Sequence, residues 1–252
     1  MDHISPANIK LVVFDIDGTL APSKSPVEHD MALLLAQLLN KKLVAVMSGG
    51  SYKQISEQFV ASLPSGIDYK NLFIFPTCGT SMYAFENNVW HERYADHFTA
   101  EEKKMIMDAL KQALDGAGYV QPEQTFGEII EDRDSQITFS ALGQLAPLDL
   151  KSAWDPDRSK RAHIIQLLQS NIPGFEARIG GTTSIDITRA GRDKAFGINA
   201  IVRELGVPIS EMIFVGDSLD VGGNDESVKK TGIVTVAVAG PDETAVFIKT
   251  LL

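Results

Sequence analysis

The sequence contains a single cysteine, Cys78, among its 252 residues. One thiol cannot form an intrachain disulfide. Its scarcity therefore excludes the class of small secreted domains stapled by disulfides and favours a reducing, cytoplasmic setting. No pattern of histidine and asparagine marks Cys78 as a nucleophile, so we interpret it as a core or loop residue.

Long hydrophobic runs are also absent. The longest, Leu11–Phe14 and Ile233–Ala239, are far shorter than the roughly 20 residues that cross a bilayer, so no membrane partner is expected. The first ten residues, which include Asp2 and Pro6, lack the basic flank and apolar stretch of a signal peptide. We therefore expect a mature chain that begins at Met1.

Positive charge is scarce, since 23 lysines and arginines stand against 33 aspartates and glutamates and the formal net charge is -10. No basic run is long enough to form a patch, so nucleic acid is not an expected partner. A phosphate ester can still bind where a metal ion or a few placed cations reverse the local field. The histidines lack the spacing of zinc ligands, which disfavours a zinc site. They are His3, His29, His91, His97 and His163.

What the sequence does contain is an alternation of short apolar runs with amphipathic stretches. This alternation predicts an α/β fold with a parallel sheet covered by helices on both faces. The predicted strands of this part are Leu11–Phe14, Leu43–Met47, Phe73–Phe75, Met212–Val215 and Ile233–Val238, and its helices include Val27–Leu39, Ser51–Val60 and Lys194–Leu205.

Between the two halves of this pattern the sequence predicts longer helices and strands in which polar and apolar residues alternate. Helices are predicted at Ala100–Ala113 and Arg158–Gln169, and strands at Gln136–Ala141, Glu176–Ile179 and Ser184–Ile187. This change predicts an α+β unit inserted into the core. We expect residues 1–87 and 188–252 to form the core and residues 88–187 to form a lid.

The most informative stretch is the hexamer Asp15-Ile16-Asp17-Gly18-Thr19-Leu20, where two carboxylates leave a buried strand at a glycine turn. Ligands of open parallel sheets bind beyond the carboxyl ends of the strands, so a reaction centre is expected there. Asp15 could attack phosphorus while Asp17 protonates the leaving oxygen and later activates water. An Asx-type turn with solvated acids is the alternative, which suits a lone Asp-Gly better than this hexamer.

A second set of carboxylates follows the strand that ends at Gly216. Asp217 comes directly after it, and Asn224 and Asp225 lie several residues beyond. Hard oxygen ligands of this kind suit magnesium, which takes one or two carboxylates together with substrate phosphate. Asp217 is the expected direct ligand. Asn224 and Asp225 either orient ligands and waters or cap the following helix.

Two further positions could contact a phosphoryl group. Ser48, followed by Gly49 and Gly50, places a hydroxyl and backbone N–H groups before a predicted helix, which suits phosphate binding but also an ordinary helix cap. Lys194 starts another helix and could screen the nucleophile. An isolated lysine is usually solvated, and only the combination with the other three elements favours a catalytic role.

With these residues in hand, the chain resembles the haloacid dehalogenase superfamily of phosphatases and phosphomutases, which has a Rossmann-like core. Its four motifs match Asp15–Thr19, Ser48, Lys194, and Gly216-Asp217 through Asn224-Asp225. The inserted unit resembles the large C2-type cap. The stretches Asp17–Pro22, Ile179-Gly180-Gly181, Ser184-Ile185-Asp186 and Gly222–Asp225 resemble the eukaryotic-type phosphomannomutases.

This resemblance implies an aspartyl-phosphate intermediate on Asp15 and magnesium held by Asp15, the backbone carbonyl of Asp17, and Asp217. It also implies sugar contacts at Ser184 and Asp186, although an alternating strand with a solvated polar face would give the same pattern. Intact Asp15, Asp17, Lys194 and Asp217 argue against a catalytically silent sugar-phosphate-binding protein. The family would also allow a homodimer through the cap.

The cap departs from the family pattern. Phosphomannomutases hold the distal phosphate of a hexose bisphosphate with several cap arginines, whereas here Arg133 matches and Glu123 and Gln144 stand where partners are expected. Neutral or acidic replacements remove bidentate phosphate recognition. The sequence therefore favours a magnesium-dependent phosphatase of a small phosphorylated metabolite, such as a sugar phosphate.

A phosphosugar mutase is the alternative. It remains open because Lys24, Arg178 or Arg189 could compensate for the missing arginines.

Overall fold

The computed structural model describes residues 8–252. Residues 1–7, which include His3 and most of the segment compared with signal peptides, lie outside the described part. Within residues 8–252 the strands are Leu11–Phe14 (β1), Leu43–Met47 (β2), Leu72–Phe75 (β3), Ser81–Glu86 (β4), Val89–Ala95 (β5), Ile130–Asp132 (β6), Ile137–Ser140 (β7), Phe175–Gly180 (β8), Ser184–Arg189 (β9), Met212–Gly216 (β10) and Val234–Ala237 (β11). The α-helices of the same residues are His29–Leu39 (α1), Tyr52–Gln58 (α2), Ala100–Gly116 (α3), Leu148–Trp154 (α4), Ser159–Gln169 (α5), Lys194–Leu205 (α6) and Pro241–Leu251 (α7).

The first unit is built around a seven-stranded sheet with the order β11-β10-β1-β2-β3-β4-β5. The strands from β11 to β3 are parallel, and β4 and β5 extend the sheet as an antiparallel hairpin. Alternate residues of β1 face opposite sides: Phe14 joins the apolar cluster that contains Leu35 of α1, and Val13 joins the one that contains Ile198 of α6. Burial on both faces explains the continuous apolar composition of these strands.

The second unit has a four-stranded antiparallel sheet with the order β6-β7-β9-β8. Phe139 and Ile185 on one face of this sheet pack in a cluster with Leu110 of α3 and Ile164 of α5. The residues that alternate with them are polar, so the opposite face is lined with hydrogen-bonding groups. An α/β core with an inserted α+β unit of the C2-cap type is therefore confirmed.

The boundaries between the units differ from the predicted ones. The inserted unit comprises Asp96–Gly191, whereas the sequence predicts 88–187. The whole of β5 pairs with β4 and belongs to the core sheet. The predicted boundary is too early because the prediction followed the alternation of strands and helices, and this hairpin adds two strands with no helix between them. No helix within residues 8–252 combines the length and apolar character needed to cross a membrane.

Candidate active site

The hexamer Asp15–Leu20 forms a tight turn directly after β1. The backbone N–H of Asp15 donates to the carbonyl oxygen of Val215 in β10 at 3.0 Å, which fixes the start of the turn against the neighbouring strand. The carbonyl of Ile16 then accepts hydrogen bonds from the N–H groups of Thr19, Leu20 and Ala21. As a result Asp15 is only 3% exposed and sits at the carboxyl edge of the sheet.

Gly18 brings the loop after β10 against this turn. Its φ is +84°, and a Cβ atom added to it would lie 2.6 Å from Oδ2 of Asp217. Both the backbone conformation and the close approach therefore require glycine at this position. Asp217 is exposed, and its Oδ2 accepts a hydrogen bond from the hydroxyl of Ser218 at 3.1 Å.

Lys194, the first residue of α6, points into the site instead of into solvent. The side chain of Asp193 caps the helix by accepting a hydrogen bond from the N–H of Phe196. The Lys194 ammonium is buried, lies 2.6 Å from Oδ1 of Asp15 and also contacts Asp225. The alternative of a solvated lysine therefore does not apply, and Lys194 lies where the predicted catalytic role requires it.

Asp225 is fully buried and links three parts of the site. Besides Lys194, it accepts a hydrogen bond from the N–H of Ser218 at 3.2 Å. A Cβ atom on Gly216 would lie 2.4 Å from its Oδ2, so glycine at the end of β10 makes room for the carboxylate. Asp225 thus positions both the lysine and the start of the Asp217 loop.

The residues present fit a divalent cation. One carboxylate oxygen from each of Asp15, Asp217 and Asp225 lies within 4.8 Å of the others. Three carboxylates beside the single ammonium of Lys194 leave a surplus of two negative charges when all are ionised. A hard divalent ion such as magnesium would balance that surplus. Of the predicted metal residues, the carboxylate of Asp17 and the exposed side chain of Asn224 lie outside this group.

The titration of these groups reflects the crowding of negative charge. Burial, with a smaller contribution from the charge of Asp225, raises the pKa of Asp15 to about 7 against the opposing effect of Lys194. Burial and Asp225 also raise the pKa of Asp217. Burial disfavours the charge on Lys194, but Asp15 and Asp225 outweigh it and raise the pKa of the ammonium group. A bound cation would favour the ionised carboxylates.

Asp17 points to a different set of partners. Its carboxylate accepts hydrogen bonds from the backbone N–H of Lys24 at 2.6 Å and from the side-chain amide of Gln58 at 3.0 Å. The Lys24 ammonium lies 3.0 Å from the other carboxylate oxygen. Burial would raise the pKa of Asp17, but Lys24 and Gln58 together lower it. Gln58, at the end of α2, is a site residue that the sequence does not reveal, because no local pattern marks it.

Ser48 follows β2 and is buried at the same edge of the sheet. Its hydroxyl accepts a hydrogen bond from the N–H of Gly50 at 3.1 Å, and its carbonyl accepts one from the N–H of Cys78 at 2.9 Å. The cap of α2 is Ser51, which forms a reciprocal capping box with Gln54. Ser48 is therefore not the helix cap. Gly49 lies beside it in the same loop.

The inserted unit carries its predicted substrate residues on the polar sheet face. Asp186 accepts hydrogen bonds from Thr138 at 2.8 Å and from Gln136 at 3.0 Å. The hydroxyls of Ser184 and Ser140 lie 2.9 Å apart. Gln144 donates its side-chain amide to Ser140 at 2.7 Å, so neutral polar groups connect this part of the face.

Arg133, Arg178 and Arg189 of the same unit are each paired with acids. Arg133 lies 2.5 Å from Glu131, and Arg178 forms an ion pair with Glu176. Both partners are two residues before the arginine in the chain. Period-2 alternation places Glu176 and Arg178 on the same face of β8, and Arg133 directly follows β6. Glu123 is exposed. Arg189 pairs with Asp96 and Glu102.

Comparison with known proteins gives a consistent picture. A family profile described as eukaryotic phosphomannomutase matches residues 31–252, a span that includes Ser48, Lys194, Asp217 and Asp225 and begins after Asp15. The phosphomannomutase of Saccharomyces cerevisiae is 26% identical over 240 residues, which cover 93% of this chain and 91% of the yeast protein. Human phosphomannomutase 1 is 24% identical over 242 residues, which cover 93% of this chain and 88% of the human protein.

Solved structures of similar fold come from enzymes of other names. An IMP-nucleotidase of Plasmodium falciparum matches with a TM-score of 0.68 at 16% identity, covering 96% of this chain and 68% of the nucleotidase. A haloacid dehalogenase-like hydrolase from Bacteroides thetaiotaomicron matches with a TM-score of 0.66 at 17% identity, covering 97% of this chain and 100% of the hydrolase. At these identities the likeness concerns the fold alone.

Proposed function

The chain belongs to the eukaryotic phosphomannomutase family of phosphoryl-transfer enzymes within the haloacid dehalogenase superfamily, and we propose that it acts as a magnesium-dependent phosphosugar mutase. The sequence alone favours hydrolysis, with the mutase as its alternative. The match over residues 31–252 includes the whole inserted unit and therefore supports the alternative better.

The observation that carries the phosphoryl-transfer chemistry is the placement of Asp15 beside Lys194 and the Asp217–Asp225 pair. We assign Asp15 as the nucleophile: its oxygen bonds to phosphorus, the bond from phosphorus to the sugar oxygen breaks, and that oxygen takes a proton from Asp17. Asp15, the Asp17 carbonyl and Asp217, supported by Asp225, would hold magnesium. The bound ion would neutralise charge on the phosphoryl oxygens.

The other core residues would bind the phosphoryl group and control when Asp17 can transfer a proton. Ser48 and Gly49 would donate hydrogen bonds to its oxygens, and Lys194 would hold Asp15 in place. Asp17 is ionised beside Lys24 and Gln58, so it must leave these partners and take up a proton from solvent before it can donate that proton to the leaving oxygen. Lys24 is suited to accompany this exchange, because its ammonium can pair with a substrate phosphate instead of Asp17.

In the mutase reaction the phosphoryl group on Asp15 is passed to a different hydroxyl of the sugar. Asp17 then accepts the proton of that hydroxyl, and the enzyme is restored. Ser184 and Asp186 on the polar face of the inserted unit are the proposed sugar contacts, and Arg133 is the proposed contact for a distal phosphate. We expect a small-molecule phosphate ester as substrate and a cytoplasmic setting, as for the family.

A phosphatase is the second candidate, and the paired cap arginines favour it. Glu131 and Glu176 compensate the charge of Arg133 and Arg178, and Gln144 contributes a neutral amide. Weak capture of a distal phosphate would leave the aspartyl phosphate to water, which Asp17 would deprotonate for attack. The chemistry on Asp15 is the same, and the acceptor differs.

A single assay separates the candidates. Purified protein is incubated with magnesium and mannose 1-phosphate or glucose 1-phosphate, with and without the corresponding hexose bisphosphate, and isomerised sugar and free phosphate are scored separately. Isomerisation stimulated by the bisphosphate supports the mutase. Phosphate release without isomerisation supports the phosphatase and overturns the mutase.

The variants of this assay test the site itself. Asp15→Asn is expected to abolish either reaction, and Asp220→Asn, which removes an exposed carboxylate from the loop after Asp217, serves as the matched control. Binding of sugar phosphate by the wild-type protein without any turnover would instead indicate a catalytically silent binder.

A further inference from the structure

Asp186 on the polar face of the inserted unit is held by one of its two carboxylate oxygens. Oδ1 accepts the hydrogen bonds from Thr138 and Gln136, whose side chains are buried. No hydrogen bond from a residue in the range 8–252 reaches Oδ2. The protein thus satisfies one oxygen and leaves the other available to a ligand.

Gly180 limits where that available oxygen can lie. This residue ends β8 and is paired with Ser184 of β9. A Cβ atom added to Gly180 would lie 2.4 Å from Oδ2 and 3.1 Å from Cγ of Asp186. Since the two hydrogen bonds to Oδ1 restrict the short aspartate side chain, the carboxylate could accommodate a methyl group at Gly180 only by giving up its position.

Arg161 in turn fixes the backbone at Gly180. Its guanidinium donates to the carbonyl oxygens of Gly180 and Gly181, both at 2.8 Å. The other side of the guanidinium lies 2.7 Å from the carboxylate of Asp155, and both side chains are buried. A planar, always charged fork held on two sides is a rigid support for the turn between β8 and β9.

From these contacts we infer that Gly180 and Arg161 are positioning residues that aim the available oxygen of Asp186 at a hydroxyl group of the sugar. This inference rests on the proposed function, which assigns the sugar to this face. A carboxylate oxygen accepts a hydrogen bond from a hydroxyl and repels a phosphate. Asp186 would therefore select the stereochemistry of one hydroxyl, and a sugar with that hydroxyl inverted would leave the carboxylate without its partner.

The first test uses Gly180→Ala. We expect KM for the preferred sugar phosphate to rise about tenfold, the value of one charge-assisted hydrogen bond, with little change in kcat. Turnover of acetyl phosphate, which has no sugar hydroxyls, should change less than twofold. Gly116→Ala is the matched control, because its Cβ would meet Leu167 at an ordinary 3.5 Å in the same unit. Equal effects of Gly180→Ala on both substrates would overturn the inference.

A double-variant cycle asks whether Gly180 acts through Asp186. In the Asp186→Ala background, Gly180→Ala should have no further effect on KM or on the midpoint of thermal unfolding, because the carboxylate it displaces is gone. An undiminished effect in that background would refute the proposed contact. The unfolding cycle needs no substrate, so it decides the positioning role even if no sugar phosphate is turned over and the proposed function fails.

Arg161→Lys tests the outer support. A lysine keeps a cation beside Asp155 but cannot present a planar fork to two carbonyls. We expect KM for the sugar phosphate to rise severalfold while acetyl phosphate turnover stays constant. Unchanged KM in a folded Arg161→Lys protein would remove Arg161 from the proposal.

Discussion

The core unit and the inserted unit distribute charge in opposite ways. In the core, Asp15 and Lys194 are 179 residues apart in the chain and meet with Asp217 and Asp225 at one edge of the sheet. Negative charge is in excess there. In the inserted unit, Arg133 and Arg178 are each paired with a glutamate two residues away, so charge is balanced strand by strand.

This difference suggests a division of labour. Buried unbalanced charge is costly and persists where a bound ion or a reaction uses it, which fits a centre for phosphoryl transfer. Locally balanced charge, interspersed with the neutral network around Ser140 and Ser184, fits recognition of hydroxyl groups. A change of charge in the core should therefore affect the chemical step. A change of charge in the inserted unit should affect substrate selectivity.

Removing the one cation of the core cluster should have the largest effect. Lys194→Met leaves Asp15 and Asp225 buried without their partner, which should lower the free energy of unfolding of the magnesium-free protein by about 3–5 kcal/mol. We expect kcat to fall on the order of 100- to 1000-fold with magnesium present, because Asp15, the proposed nucleophile, loses its orienting charge. Chemical denaturation and steady-state kinetics measure the two effects. Lys229→Met, at an exposed lysine, is the control. Retention of more than a tenth of kcat would contradict the assigned role.

Gly18→Ala tests whether close packing maintains the carboxylate cluster. The added methyl would meet Oδ2 of Asp217 and should weaken magnesium binding about tenfold, with a stability loss of about 1–2 kcal/mol from the left-handed backbone. Gly66→Ala is a close control, since Gly66 has φ +82° and open space around its Cβ. Calorimetric titration should therefore show weaker magnesium binding in Gly18→Ala alone. Chemical denaturation should show a loss of stability in both variants. Equal magnesium affinity in the two would argue against Asp217 as a ligand.

The pH dependence of magnesium binding should reveal the crowding of the carboxylates. Because the pKa of Asp15 rises from 3.8 to about 7 on folding, the folded protein binds more protons than the unfolded chain between these values. The free energy of unfolding without metal should thus decrease as pH rises through this window. Magnesium competes with the proton, so its affinity should increase by up to about tenfold per pH unit below pH 7. Thermal unfolding with chelator or magnesium measures both slopes, and Asp15→Asn should flatten them. If Asp15→Asn leaves the pH dependence of stability and of magnesium affinity unchanged, the group that titrates in this window is not Asp15.

Much of the core site could be predicted from the sequence because its residues follow strand ends. Parallel strands deliver their carboxyl ends to one edge, so Asp15, Ser48 and Asp217 could be placed together without knowing any distance. Gln58 could not be found in this way, since its contact with Asp17 depends on how the end of α2 approaches the turn. Asn224 looks like Asp225 in sequence, yet it is exposed whereas Asp225 is buried.

Other features have a local signal that the strand–helix alternation does not capture. Asn87 and Asn88 both have positive φ, and an asparagine pair between apolar alternations indicates a hairpin turn, which joins β5 to β4 and so to the core. Likewise, the two-residue spacing from Glu176 to Arg178 indicates a shared strand face. The stacking of Arg189 over Phe98 and Phe175 depends instead on tertiary packing and has no local signature.

The smallest expected effect comes from giving the inserted unit the unbalanced charge that the core has. Replacing both paired acids, as Glu131→Gln with Glu176→Gln, leaves Arg133 and Arg178 without these carboxylates. Loss of the partly exposed Arg178–Glu176 pair should change stability by less than about 1 kcal/mol, whereas the Arg133 side chain is only 5% exposed and its separation from Glu131 should cost more. The affinity for a hexose bisphosphate should rise severalfold, and the ratio of isomerised sugar to free phosphate should rise with it.

The control for this double variant must change net charge equally. Asp115→Asn with Glu128→Gln removes two exposed acids from the same unit, so it reproduces any general electrostatic attraction of the bisphosphate. If both double variants raise bisphosphate affinity alike, the attraction comes from net charge and local pairing does not govern selectivity. If only the arginine-releasing variant does so, the glutamates are what keeps this face selective for neutral hydroxyl groups. The balance between isomerisation and hydrolysis would then be set by two carboxylates that never touch the reacting phosphorus.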